Sequence, residues 1–297
     1  MDFRLTEDQR ALRRGVRELL ERRFGGERLR AAVDAGGVLD RELWRELGAA
    51  GFFALRLPEE AGGVGLGLPE AVLLFEEAGR ALLPGPLVAT HLAAGAVPGA
   101  AEGETVVTAA DGELVEWLDA ADTVLGAAGG AVPIRSVDPL TPLHRLPGGA
   151  PGAVRGPGSG VLDADLVSLL TAAEQLGSAA RSTGLAVAHA RTREQFGRPV
   201  GGFQAVKHLC AEMLVRTELA RAAVYAAAVT GDPVEIAGAR LLADEAAVAG
   251  ARDCLQVHGG MGFTWEAEVH LHLKRAWVRA ERGLSGAAAE ERVAAGL

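Results

Sequence analysis

Two short stretches of the 297-residue chain gather side chains that suit a phosphate: "REQFG" at 193–197 and "DCLQVHGGMGF" at 253–263. Arg193 offers a planar, permanently charged fork that matches a diphosphate, and Gln195 can donate to the same oxygens. Gly259, Gly260 and Gly262 lack Cβ atoms, so backbone there can turn sharply and come close to a ligand. Plainer readings stand beside these. An arginine near a helix end commonly complements the helix dipole, and a Gly-Gly pair behind a helix is a C-cap. Spacing alone leaves a phosphate-holding loop, a hinge and a helix stop all open. It does exclude a Rossmann fingerprint, which needs its glycines between a strand and a helix start; here they follow an apolar helical pattern.

Other candidates carry less. "GGVG" at 62–65 has no strand before it and no lysine after it, so it reads as an interhelical turn. His270 and His272, with His258 nearby, could suggest a metal. Residues two apart on a helix point to different faces, however, which makes a poor ligand set; a polar helical surface is the expectation.

Composition narrows the classes. The formal charge of -9 and the lack of a basic run argue against a nucleic-acid surface. Cys210 and Cys254 both fall in helical-looking stretches, which points to reduced thiols in a cytoplasmic protein. The amphipathic start "MDFRLTEDQRALRRGVRELLERRF" is neither signal nor transit peptide, and no apolar run is long enough to span a bilayer.

The elements that must carry these residues fall into three parts. Leu5 through Phe24 reads as a helix with Leu12, Val16, Leu19 and Leu20 on one stripe and Thr6 as its cap. "RELWRELGAAGF" and "EAVLLFEEAGRALL" continue a helical domain over 1–100 that breaks at Pro84 and Pro86. Over 101–160, "ETVVTAA", "DTVLGAA" and "AVPIRSV" are short β-branched runs, a small β domain unable to build a substantial pocket alone. Pro and Gly crowd "HRLPGGAPGAVRGPGSG" at its end. From 161 to 297, helical patterns over 165–195, after "FQAV", over 234–257 and over 265–282 predict a four-helix bundle. The fold class expected is mainly α.

These stretches resemble the acyl-CoA dehydrogenase family, flavoproteins that desaturate acyl thioesters between Cα and Cβ. The resemblance is carried by "MDFRLTEDQRALR", "LWRELGAAGFFALRLPEEAGGVGLG", "EEAGRAL", "ARTREQFGRPVGGFQAVKH" and "DCLQVHGGMGFTWEAEV", in the family's order. It implies an acyl-CoA dehydrogenase-like fold in which Arg193, Gln195, Phe196, Gln204, Gln256, Gly259 and Gly260 form one half of a flavin site. That half lies against the ADP end of an FAD seated mainly in the neighbouring subunit.

The chain also departs from the family pattern. Desaturation needs a carboxylate to take the α-proton while hydride leaves Cβ. The position that the family gives this base falls on Gly283; an alternative site, at the start of the first helix of the last domain, falls on Val167. Glu281 lies about 200° round the helix from Gly283, and Glu174 is roughly 10 Å along the axis from Val167. The family's "TEP…GSD"-like loop and Trp-containing strand are not visible between 101 and 160. The expectation is therefore a non-catalytic, flavin-completing subunit that shares FAD with a full-length acyl-CoA dehydrogenase partner in an α2β2 heterotetramer. Resembling bacterial assemblies oxidise CoA thioesters of steroid side chains. Two alternatives stay open: a self-sufficient homotetramer using Glu174 or Glu281, and a flavin-free scaffold.

Overall fold

A computed structural model describes residues 4–148 and 162–296. The chain opens with α1 (Glu7–Phe24), started by a capping box: Thr6 Oγ1 accepts from the Gln9 N–H, and Gln9 Oε1 accepts from the Thr6 N–H. α2 (Gly26–Asp34) and α3 (Arg41–Ala49) follow, the latter capped by Asp40. α4 (Leu68–Arg80) and α5 (Leu87–Ala93) complete the first helical part. The segment 62–65 is a turn between α3 and α4, with Gly62 and Gly65 at φ of 79° and 72°.

The β part is a five-stranded sheet of β1 (Val107–Asp111), β2 (Leu114–Glu116), β3 (Thr123–Leu125), β4 (Val132–Ile134) and β5 (Leu143–Arg145). Their order across the sheet is β3-β1-β2-β5-β4, with β1 and β3 parallel and the remaining pairs antiparallel. β1, β3 and β4 fall in the three runs singled out from the sequence, whereas β2 and β5 were not anticipated. The end of the Pro/Gly-rich stretch, including the expected boundary at 160, lies outside the described residues.

α6 (Ala164–Thr192), capped by Asp163, is the central pillar. It is buried along most of its length because it packs against α4, α8 and α7 (Gln204–Thr230), and against α9 (Val269–Ala280). β6 (Glu194–Gln195) and β7 (Arg198–Pro199) form a small hairpin between α6 and α7. α8 (Pro233–His258) and α9 finish a four-helix bundle, and α10 (Gly286–Ala295), which the sequence reading had not foreseen, packs on α8. The last bundle helix starts at Val269 rather than 265, because 264–268 is held as a separate strap.

His270 and His272 correct the expectation of a polar surface: they are 9% and 1% exposed. α9 packs against α6 and α8, and its Arg275 reaches the carbonyls of Leu82 and Leu83 just after α4, so two successive faces are both interior. Burial and the nearby Arg181, Arg275 and Arg80 push the pKa of His272 down to about 3, and its Nδ1 shares a 2.8 Å hydrogen bond with Ser178 Oγ. Cys210 and Cys254 are free thiols, Cys254 buried.

The two helical parts touch backbone to backbone where α4 crosses α6. A Cβ on Gly177 would lie 1.8 Å from Glu76 O, and one on Gly79 would lie 2.0 Å from Glu174 O. Only glycine permits that approach. Gly177→Ala should therefore destabilise the fold by about 1–3 kcal/mol, read as a lower urea midpoint, whereas Gly238→Ala, where a Cβ would meet nothing within 4 Å, should not lower it.

Candidate functional site

Arg193 is the C-cap of α6, and its N–H donates to His189 O at 2.8 Å. The chain then reverses through the β6–β7 hairpin, closed by the Val200 N–H donating to Arg193 O at 2.8 Å. The two turn residues, Phe196 and Gly197, have φ of 54° and 77°, the pairing that suits a right-twisted two-residue hairpin. Phe196 is an unusual occupant. A bulky residue in the left-handed region stores strain, and this one presents its ring to solvent, 92% exposed. α7 then begins at Gln204 with no side-chain cap.

The second stretch ends α8. Gln256 is exposed on the last turn, and Gly259 turns the chain at φ 59°, ψ −143°, a combination close to the region reserved for glycine. A short 3-10 turn, Gly259–Phe263, follows. The fold brings the two stretches to the same end of the bundle. His189, one turn before Arg193, stacks on His258, immediately before Gly259, with ring centroids 4.1 Å apart. Burial, then His258 and Arg193, push the His189 pKa down, which favours a neutral ring in the stack. His258 Nδ1 lies 2.8 Å from Cys254 O, an acceptor only, so this nitrogen carries the proton. Beneath lies a small apolar core that includes Ala186, Ala190, Met213, Cys254 and Leu255.

This tip fits the anionic end of a dinucleotide. Arg193, Gln195, Gln204 and Gln256 are all exposed. Among the described residues the Arg193 guanidinium makes no hydrogen bond or ion pair, and Gln195 uses its amide only on the neighbouring Glu194 O. Gly260 is exposed, its φ is not positive, and a Cβ there would meet nothing within 4 Å, so backbone at this point is open to close approach from outside. The surface is an open platform without a covering wall.

The places to which the base was traced lie together some distance down the bundle. Gly283, at φ 67°, directly adjoins the start of α6: a Cβ on it would lie 3.0 Å from Ser168 Oγ and 3.3 Å from Val167 Cγ1. The Gly283 N–H donates to Asp111 (2.6 Å) and the Leu284 N–H to Ser168 Oγ (3.0 Å). The adjoining cavity, lined by Val88, Ala110, Asp111, Val167, Glu174 and Arg279 among others, holds about 30 Å³. That is room for about one water, against several hundred Å³ for a typical cofactor or ligand site. A flavin ring does not fit.

What fills the place is charge. Arg279 on α9 bridges Glu116 at the end of β2 (2.7 Å) and Glu174 on α6 (2.9 Å). Arg282 lies 3.4 Å from Asp111 and 4.0 Å from Glu116. Burial opposes ionisation of Glu116, yet Arg279 and Arg282 outweigh it and hold its carboxyl below the usual range. Glu174 goes the other way: burial pushes its pKa up against the pull of Arg279 and Arg275. Glu174 is thus fully enclosed and tied to a guanidinium. Glu281 is exposed at the C-cap of α9 and does not line the cavity. Trp117 directly follows β2 and is buried within this chain.

The one local sign of this network in the sequence is the series Arg275, Arg279, Arg282, spaced by four and three on a helical stripe where apolar residues are expected.

The N-terminal domain model of the acyl-CoA dehydrogenases matches residues 6–104, and their C-terminal domain model matches residues 168–289. The chain belongs to the acyl-CoA dehydrogenase family. Its members are FAD-binding oxidoreductases. The chain is 38% identical over 295 residues to "Acyl-CoA dehydrogenase IpdE2" of Mycobacterium tuberculosis, covering 91% of each protein. It superposes on a chain of the crystal structure of the ChsE4-ChsE5 complex from Mycobacterium tuberculosis with a TM-score of 0.86 and 25% identity, covering 99% of this chain and 98% of that one. The fold is also that of a chain in the Tcur3481-Tcur3483 steroid ACAD G363A variant, with a TM-score of 0.81, 24% identity and 97% of each chain covered. Neither family model reaches residues 105–167, the span that contains the small sheet.

Arg279→Leu would leave Glu116 and Glu174 buried without their shared counter-charge and should cost about 3–5 kcal/mol of stability, read from chemical denaturation. Adding Glu174→Leu to that variant should recover part of the loss.

Proposed function

We propose that this chain is the flavin-completing, non-catalytic subunit of a heteromeric acyl-CoA dehydrogenase, paired with a full-length acyl-CoA dehydrogenase subunit in an α2β2 heterotetramer. The observation that carries the reading is the contrast within one chain: an open, unpaired nucleotide platform at the tip, and a charge-filled remnant of about 30 Å³ where a flavin ring and thioester would have to lie. Arg193 would grip the diphosphate, with Gln195, Gln204 and Gln256 donating around it. Gly259 and Gly260 would admit the nucleotide close to backbone, and Phe196 would pack on the adenine side. FAD, when bound, would accept the hydride from Cβ, and the partner would supply the carboxylate that takes the α-proton.

The similar solved structures support a heteromeric assembly. Two of the similar solved structures are complexes of two differently named chains, one of them described as a steroid ACAD. CoA thioesters of steroid side chains are accordingly the substrate class proposed for the assembly, with the substrate held in the partner. No helix among the described residues is long and apolar enough to cross a membrane; the location proposed from the reduced thiols is cytoplasmic. We also propose the domain division 1–100, 101–160 and 161–297.

The competing base candidates have less behind them: Glu174 is buried in an ion pair with Arg279, and Glu281 is outside the cavity. A flavin-free scaffold would give no role to an exposed Arg193 that makes no hydrogen bond or ion pair among the described residues. In the purified complex, Arg193→Ala should weaken FAD binding roughly 10- to 100-fold, the range for losing a charge-assisted hydrogen bond, with Arg193→Lys falling between. Unchanged FAD content on Arg193→Ala would refute the shared-site reading.

A further inference from the structure

The Gly259–Phe263 turn has little packing of its own: Met261 and Phe263 are 54% and 74% exposed, and only Gly262 is buried. Its upstream end is fixed by α8 and the His189–His258 stack. Its downstream end runs into the strap 264–268, and that strap is fastened from three directions. Arg30, on α2 and more than 230 residues earlier in sequence, donates one Nη to Trp265 O and the other to Glu266 O. Arg181, midway along α6, places Nε and Nη2 on Glu268 Oε1 at 3.0 and 2.6 Å. The Trp265 ring is flanked by His270, stacked at 5.1 Å, and by Lys274, whose Nζ lies 4.7 Å from the ring centroid.

These fastenings act on backbone that would otherwise continue α9. Periodicity favours a helix from 265, yet the carbonyls of Trp265 and Glu266 are taken by a guanidinium from another part of the chain. A five-residue turn clamped at both ends keeps its N–H groups and its glycine faces in one arrangement before a ligand arrives, and such preorganisation lowers the ordering cost of binding.

We infer that Arg30 and Arg181 are positioning residues for the nucleotide platform: they touch no nucleotide, and they set the Gly259–Phe263 turn by holding the strap behind it. The inference rests on the flavin-completing reading above and extends it to the N-terminal helices. Arg30→Ala should weaken FAD affinity of the assembled complex by roughly 2- to 30-fold, the range in which residues remote from a site alter its coupling. Turnover at saturating FAD should be retained, because the partner's chemistry is untouched. Arg30→Lys, which can serve one carbonyl at a time, should fall between wild type and Arg30→Ala.

The test titrates FAD into the deflavinated complex, following recovery of the flavin absorbance band, for wild type, Arg30→Ala, Arg30→Lys, Glu268→Gln and Arg193→Ala. Arg41→Ala, which breaks the remote Arg41–Asp122 pair, reports what loss of a structural ion pair alone does. Weaker FAD affinity in Arg30→Ala and Glu268→Gln with Arg41→Ala unchanged, and faster amide exchange over 259–268, supports the positioning role. If Arg193→Ala weakens FAD binding and both strap variants match wild type, the positioning role is overturned and the shared flavin site stands. If Arg193→Ala also matches wild type, the shared-site reading fails and takes this inference with it. Glu268→Gln preserves the shape of the strap and gives the answer should Arg30→Ala not assemble.

Discussion

A single guanidinium, that of Arg279, joins three parts of this protein. It reaches Glu116 at the end of a sheet strand and Glu174 on the central helix from its own place on α9, so the small sheet is pinned to the bundle through buried charge. Removing two carboxylates and an arginine from water is costly, and the arrangement holds only because each partner is present. With Arg275 of α9 on Asp138 and Arg282, just beyond the helix end, on Asp111, this part of the chain docks against the sheet and the loop before β5. The space between sheet and bundle is consequently full. A ligand site there would require the network to part.

The tip of the bundle follows the opposite rule. Its Arg193 guanidinium makes no hydrogen bond or ion pair among the described residues, and Phe196 holds a strained backbone with its ring in solvent. Strain and unused donors persist where something other than stability maintains them. One chain thus combines a filled interior, where its family performs chemistry, with a prepared surface that lacks a covering wall. Both properties become intelligible when the wall belongs to another polypeptide.

How much of this was legible in the sequence depended on the range of the interaction concerned. Thr6 and Gln9 announce the start of α1 because a capping box is a three-residue affair. Gly283 and Val167 could be named from the sequence as the positions where a base was expected, but their adjacency, and the enclosure of Glu174, needed the fold. β2 and β5 escaped notice because three-residue strands such as "LHR" carry no periodicity, and α10 because "GAAAEERVAA" has few large apolar residues to mark a face. His270 and His272 misled for a related reason: a polar residue signals solvent only where the helix has a wet face, and α9 is enclosed nearly all round. The strap was invisible because its cause is Arg30, hundreds of positions away.

Flavin stoichiometry tests the division of labour most directly. The chain should be purified alone and together with its acyl-CoA dehydrogenase partner, and FAD measured per polypeptide from the visible spectrum before and after adding an acyl-CoA. The account predicts a colourless, inert isolated chain, and a complex holding one FAD per pair of unlike chains that bleaches on substrate. An isolated chain that comes off the column yellow, and whose flavin an acyl-CoA reduces, would contradict it.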